Sequence, residues 1–253
     1  MSGRLTIVGL GPGAAGMQTP QATAALATAT DLVGYSTYLD RVPQCSRQVR
    51  HASDNRVELD RARHALSLAA AGREVAVVSS GDPGVFAMAS AVFEAVEHGD
   101  PLWRALDIVV VPGISAVFAA AARLGAPLGH DFCVLSLSDN LKPFDVVLAR
   151  LTAAASAGFV IALYNAASRA RPWQLAAALD VLRPILPAAT PVVLAAAISR
   201  EDERIEVTTL GDADPARADM RTLVLIGSAS TRRIERRGAT PWLYTPRFHV
   251  AAT

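Results

Sequence analysis

Short, largely apolar runs that alternate with helix-forming stretches constrain this chain more than any other feature. They are Leu5–Leu10, Asp31–Tyr35, Val75–Val78, Asp107–Val111, Phe132–Leu137, Phe159–Leu163, Val192–Ala197 and Thr222–Ile226. A strand with one wet face alternates apolar and polar residues, whereas a strand covered on both faces reads as one continuous apolar run. Alanine-rich stretches long enough for helices separate most of the runs. The pattern predicts an α/β protein with buried, largely parallel central strands. Arg204–Leu210 alternates instead and reads as an antiparallel strand.

Each run ends in small or polar residues, and Val75–Met88 shows this most fully. A strand stops in Ser79-Ser80-Gly81-Asp82-Pro83-Gly84 and a helix follows. Gly81 and Gly84 permit backbone angles and close approaches that a Cβ forbids, while Pro83 pushes Asp82 into an extended conformation. A peptide shelf carrying one carboxylate results. In open α/β sheets, ligands bind at the carboxyl ends of strands. A strand-to-helix turn with a capped helix is the plainer reading of the same residues.

Punctuation along the chain supports the element order. Thr19-Pro20 has the form of an N-cap followed by the first helical residue, and Gly72 that of a helix terminator. Ser115 can cap the helix that runs to Leu124, and Pro143 and Pro172 open two further helices. Gly125-Ala126-Pro127-Leu128-Gly129 is the best linker, which predicts two α/β domains, 1–124 and 125–253, with a cleft between them. Arg41–Arg63 and the tail around Arg232, Arg233, Arg236 and Arg237 are polar and arginine-rich.

Composition excludes several classes of function. With 24 basic against 23 acidic residues, nothing global favours nucleic acid or a membrane surface. No apolar run reaches the roughly 18 residues of a membrane span, and the start of the chain lacks a basic leader, so a cytoplasmic location is expected. The two cysteines, Cys45 and Cys133, are far apart and lack metal-ligand spacing. Lys142 is the only lysine; every other cation is arginine, whose fork suits carboxylates.

The remaining motifs carry little chemistry. Gly9-x-Gly11-x-x-Ala14 fits a dinucleotide fingerprint, but Pro12 deletes an amide, and Asp31 precedes the second strand where a ribose-binding acid should follow it. There is no phosphate loop with its Gly-Lys pair and no Gly-x-Ser-x-Gly elbow. The histidines are scattered and no acid–base pair stands out. An enzyme of this kind works through placement and electrostatics.

Leu5–Gly13 with Thr19-Pro20, Ser80–Phe86, Pro112–Ala116, Ser136–Asp139 and Ile161–Asn165 occur in the order found in the tetrapyrrole methylases, which the chain resembles over nearly its whole length. Val33-Gly34-Tyr35-x-Thr37-Tyr38-Leu39, Ala162-Leu163-Tyr164-Asn165 and Arg171-Pro172-Trp173-Gln174-Leu175 are similar to the branch acting at C17 of precorrin-3B. Ala166-Ala167 departs from it where a proline is expected. The resemblance implies a homodimer that methylates a tetrapyrrole, converting S-adenosylmethionine to S-adenosylhomocysteine. By position it implies donor contacts from Pro12, Gly81, Asp82, Val85, Ser115, Ala116, Tyr164, Asn165, Ala196 and Gly227. It implies a substrate edged with carboxylates, for which Arg41, Arg47, Arg50 and Arg56 are candidates, although a solvated charge run is the commoner meaning of such a stretch. Ser138, Asp139 and Lys142 are the candidates for proton transfer during ring contraction. A cobalt-containing substrate, another precorrin methylase, a pigment-binding protein without turnover and a nicotinamide-dependent oxidoreductase stay open as alternatives.

Overall fold

A computed structural model of the chain describes residues 3–55, 57–168 and 170–248, and the chain divides into two units, Met1–Ser115 and Ala116–Thr253. The first contains β1 (Arg4–Gly9), α1 (Pro20–Thr28), β2 (Asp31–Tyr35), α2 (Ser36–Leu39), β3 (Val49–Ser53), α3 (Glu58–Ala70), β4 (Glu74–Ser79), α4 (Met88–His98) and β5 (Asp107–Val111). Its strands form one sheet in the order β3-β2-β4-β1-β5, and every pairing is parallel.

Both faces of that sheet are covered, which explains the uninterrupted apolar runs. Leu5, Ile7, Val33, Val75 and Val77 pack with Leu66 of α3 and Val92 of α4. Val8, Leu32, Ala76 and Val78 pack on the other face with Leu26 of α1. The Thr19 hydroxyl accepts a hydrogen bond from the Ala22 amide at 3.1 Å, with Pro20 at the first helical position. Beyond α3, Gly72 takes φ +87°, a left-handed conformation that stops the helix. The strand β3 lies inside the arginine-rich stretch, where no strand was expected. Val-Arg-His-Ala-Ser has little strand signal of its own, and β3 exists because the edge of β2 supplies its backbone partners.

The second unit contains α5 (Ala116–Leu124), β6 (Gly125–Ala126), β7 (Phe132–Ser136), α6 (Phe144–Ser156), β8 (Val160–Tyr164), α7 (Gln174–Leu182), β9 (Pro191–Ala196), β10 (Arg204–Thr209), β11 (Thr222–Ile226), β12 (Arg232–Arg236) and β13 (Ala239–Tyr244). The main sheet has the order β10-β9-β11-β8-β7. Only β7 and β8 pair in parallel; β11 runs antiparallel to both β8 and β9, and β10 antiparallel to β9 as its alternation suggested. Parallel pairing thus holds throughout the first sheet and in one pair of the second. A continuous apolar run reports burial on both faces and says nothing about direction. Leu151 of α6 and Leu175, Leu179 and Leu182 of α7 pack on Ile161, Leu163, Leu194 and Val224.

The arginine-rich tail folds as well. Strands β12 and β13 form a hairpin through Gly238 at φ +69°, extended by β6 into a small sheet, and Arg236 lies 4.5 Å over the Trp242 ring. Helix α5 packs on β11 and β13, so the division into units falls between Ser115 and Ala116, ahead of the Gly125 linker.

At the start of β2, Asp31 is almost fully buried and accepts hydrogen bonds from Arg73 Nε at 2.8 Å, Thr30 Oγ1 at 2.6 Å and His51 Nε2 at 3.0 Å. Burial pushes its carboxyl up, but the bonds from Arg73, Thr30 and His51 outweigh it and hold the pKa down to about 2. A group whose folded pKa is depressed stabilises the fold above its unfolded pKa, and that contribution is lost as the pH falls through the folded value. The expected loss is about 2 kcal/mol between pH 4 and pH 2. Urea midpoints at pH 5 and pH 2.5 test this against Asp31→Asn. Other paired carboxylates titrate in both proteins, so an equal fall in the two would exclude the Asp31 contribution.

Candidate active site

Strands β1, β4 and β5 are adjacent and parallel, so their carboxyl ends emerge side by side. The three backbones there almost touch. A Cβ on Gly113 would lie 2.2 Å from the Gly81 carbonyl oxygen, and one on Gly9 would lie 2.7 Å from the Gly113 nitrogen. Gly11 and Gly81, at φ +68° and +66°, exchange backbone hydrogen bonds of 3.2 and 2.9 Å. Asp82 clamps the turns: Oδ1 accepts from the Gly84 amide at 2.8 Å and Oδ2 from the Gly113 amide at 3.0 Å. Around this shelf Pro12 and Ser115 are buried and Val85 is half-buried.

In the second unit, β7, β8 and β9 point the same way. Tyr164 closes β8, and its hydroxyl accepts from the Val117 amide at 3.0 Å, in the first turn of α5 that opens at Ala116. Asn165 follows at φ +55°, and its Nδ2 donates to Ser136 Oγ at 2.8 Å. Ala196 closes β9, and Ala197 and Ser199 take φ +51° and +63°. A non-glycine residue held left-handed costs about 1–3 kcal/mol, and such strain gathers at functional turns. Sequence reasoning missed Ala197 and Ser199, because neither residue type marks a left-handed position. Phe86, at φ +52° just after the Gly-Asp-Pro turn, was missed for the same reason.

Gly227 does not join this group. Because β11 is antiparallel, Thr222 lies beside Ala196, while the Gly227 amide bonds to the Pro191 carbonyl at 2.8 Å, at the other end of β9. The offset is roughly 16 Å along the strand. The resemblance sets Gly227 near the donor, but the direction of β11 places it apart from Ala196 and the β8 turn.

Ser138, Asp139 and Lys142 lie together beyond β7. Lys142 Nζ donates to the Ser138 carbonyl at 3.2 Å, and Asp139 forms an ion pair with Arg171. Burial, helped by the positive charge of Arg150, pushes the Lys142 ammonium below the usual lysine pKa, with Asp139 opposing. Phe144 and the half-exposed Trp173 meet edge to face at 4.7 Å beside this turn.

The arginine candidates separate. Arg50 donates to the carbonyls of Leu39, Val42 and Pro43 at 2.8, 2.7 and 2.7 Å, so its guanidinium braces a loop. Arg41 similarly donates to the Leu10 and Gly11 carbonyls at 3.0 and 2.9 Å and to Ser80 Oγ at 3.0 Å, stitching the β1 and β4 turns. A run of arginines looks alike in sequence whether its forks face solvent or backbone. Arg47 is exposed; its backbone and side chain hold the Cys45 thiol below its ordinary pKa. Arg56 lies outside the described residues. Among the described residues no helix is long and apolar enough to cross a membrane, and no group of three or more His, Cys, Asp or Glu could hold a metal.

Residues 4–214 match the family described as Tetrapyrrole (Corrin/Porphyrin) Methylases. A Sinorhizobium sp precorrin-3B C(17)-methyltransferase is 56% identical over 253 residues, all of both chains. The cobalamin biosynthesis protein CobIJ of Mycobacterium bovis is 50% identical over 92% of this chain, which spans 46% of that longer protein. The crystal structure of the methyltransferase CobJ superposes with a TM-score of 0.92 at 52% identity, covering 97% of this chain and 100% of the other. With the strand-end shelves already in place, these likenesses show that the chain is a methyltransferase belonging to the tetrapyrrole (corrin/porphyrin) methylases.

Proposed function

We propose that the protein transfers a methyl group from S-adenosylmethionine to C17 of precorrin-3B, with contraction of the macrocycle, in cobalamin biosynthesis. The observation that carries this reading is the pair of strand-end shelves, built from glycine, alanine and left-handed turn residues, on a chain 56% identical to its Sinorhizobium relative over the full length. The shelf residues fit the donor. A sulfonium zwitterion attached to adenosine calls for backbone donors and acceptors and little side-chain bulk. Gly81, Ser115, Ala116, Ala196 and Ala197 are residues of that small kind. In this reading the residues that hold the donor are drawn from Pro12, Gly81, Asp82, Val85, Ser115, Ala116, Tyr164, Asn165 and Ala196.

When bound, the donor supplies an electrophilic methyl group. The macrocycle carbon is itself electron-rich, so the protein aligns the two partners and excludes water, contributions that need no acid–base dyad at the methyl. Ring contraction also requires a proton to move. In this reading Lys142, with Ser138 and Asp139, holds and exchanges it, and the burial that favours its neutral amine supports that role. Arg47 and Arg56 remain the candidates for the carboxylates of the substrate. The same reading includes a homodimer working in the cytoplasm.

Calorimetry with S-adenosylhomocysteine and incubation of the protein with precorrin-3B and the donor test it. Binding near the micromolar level (about −8 kcal/mol) and conversion that depends on precorrin-3B are expected. Folded protein that ignores S-adenosylhomocysteine but binds NADH or a flavin would return the chain to the oxidoreductases.

A further inference from the structure

The Arg-Pro-Trp-Gln-Leu block at 171–175 takes no part in the donor shelf, yet its first residue reaches the turn that carries Lys142. That lysine stands alone among 24 basic residues. Arginine stays charged in any protein environment, whereas a partly buried lysine can give up its proton and take it back. The chain's one lysine ammonium thus lies beyond the carboxyl end of β7.

Among the described residues, no carboxylate pairs with it. Lys142 Nζ donates to the Ser138 carbonyl, a neutral acceptor, at 3.2 Å. The nearby acid, Asp139, is engaged by the guanidinium of Arg171, with the two side chains 22% and 21% exposed. The charged groups acting on the lysine are Asp139 from its own turn and Arg150 from α6; Arg171, from the turn before α7, reaches them through Asp139. The turn around Arg171 is itself anchored, since Ser168 and Arg171 exchange backbone hydrogen bonds of 3.3 and 3.0 Å.

We propose that Arg171 is a positioning residue: by holding the Asp139 carboxylate it denies Lys142 a salt-bridge partner and leaves the lysine free to exchange a proton with the substrate. The role in the reaction rests on the methylase reading, but the electrostatic arrangement can be measured without it. Freed from Arg171, Asp139 would pair with the ammonium, stabilise the charged form and raise the pKa of the lysine.

Because the chain has one lysine, [ε-13C]lysine labelling gives a single side-chain resonance to titrate. In Arg171→Gln the midpoint is expected to move up; in Arg171→Gln with Asp139→Asn it should return to the wild-type value or below. An unmoved midpoint in Arg171→Gln, or the same rise in the double variant, overturns the proposal. Arg171→Met replaces the glutamine variant if that protein does not fold, as judged by circular dichroism and urea unfolding. In the methyl-transfer assay, the pH limb that disappears in Lys142→Met should follow the resonance upward. Wild type that turns over while the Lys142 midpoint stays fixed in the Arg171 variants removes Arg171 from this role alone. Wild type that binds no S-adenosylhomocysteine removes the methylase reading and leaves the titration to stand by itself.

Discussion

Gly113→Ala should abolish S-adenosylhomocysteine binding and destabilise the protein by about 3 kcal/mol, the upper part of the usual range for forced overpacking. The new methyl group would lie 2.2 Å from the Gly81 carbonyl oxygen and 3.0 Å from Gly9 backbone atoms, and none of these can rotate away as a side chain would. The β5 turn must therefore retreat from the β1 and β4 turns. That separation breaks the bond from the Gly113 amide to Asp82 and widens the shelf. Gly16→Ala is the control: its Cβ meets nothing within 4 Å, so its stability should stay within about 0.5 kcal/mol of wild type. Urea unfolding and calorimetry on both variants provide the comparison. Wild-type affinity in Gly113→Ala would mean that the three-way glycine contact does not shape the site.

Asp82→Ala is expected to lower both stability and donor affinity, the first by about 2 kcal/mol and the second by more than about tenfold. Its two carboxylate oxygens each accept from a backbone amide, Gly84 at 2.8 Å and Gly113 at 3.0 Å. Hydrogen bonds to an ionised acceptor exceed neutral ones, and partial exposure of Asp82 reduces the net gain. Asp82→Asn keeps one acceptor oxygen and should lose about half as much stability. The pair of readouts distinguishes two roles. A carboxylate that only contacted the ligand would lose affinity with no change in the urea midpoint, whereas the clamp loses both. Unchanged stability in Asp82→Ala would sink the clamp.

The sequence by itself determined the features that depend on neighbours along the chain. Thr19-Pro20 capped α1 and Gly72 ended α3 because caps and left-handed stops are local chemistry. Strands such as Asp31–Tyr35 and Thr222–Ile226 were legible to the residue, since burial on both faces demands an unbroken apolar run. The turns after them were legible as candidates for a site because Gly-Asp-Pro-Gly, Ser-Ala and Tyr-Asn cannot fill a core. Only the tertiary structure decided what those residues hold. It reversed β11 and so carried Gly227 away from Ala196. It spent Arg41 and Arg50 on carbonyls, placed Val49–Ser53 on an edge, and made the one carboxylate of the shelf, Asp82, a clamp on Gly113. Strand direction, the destination of a long side chain and the partner of a carboxylate are settled by groups far apart in the chain. Gly113 lies 31 positions beyond the aspartate that binds it, a separation that no local pattern encodes.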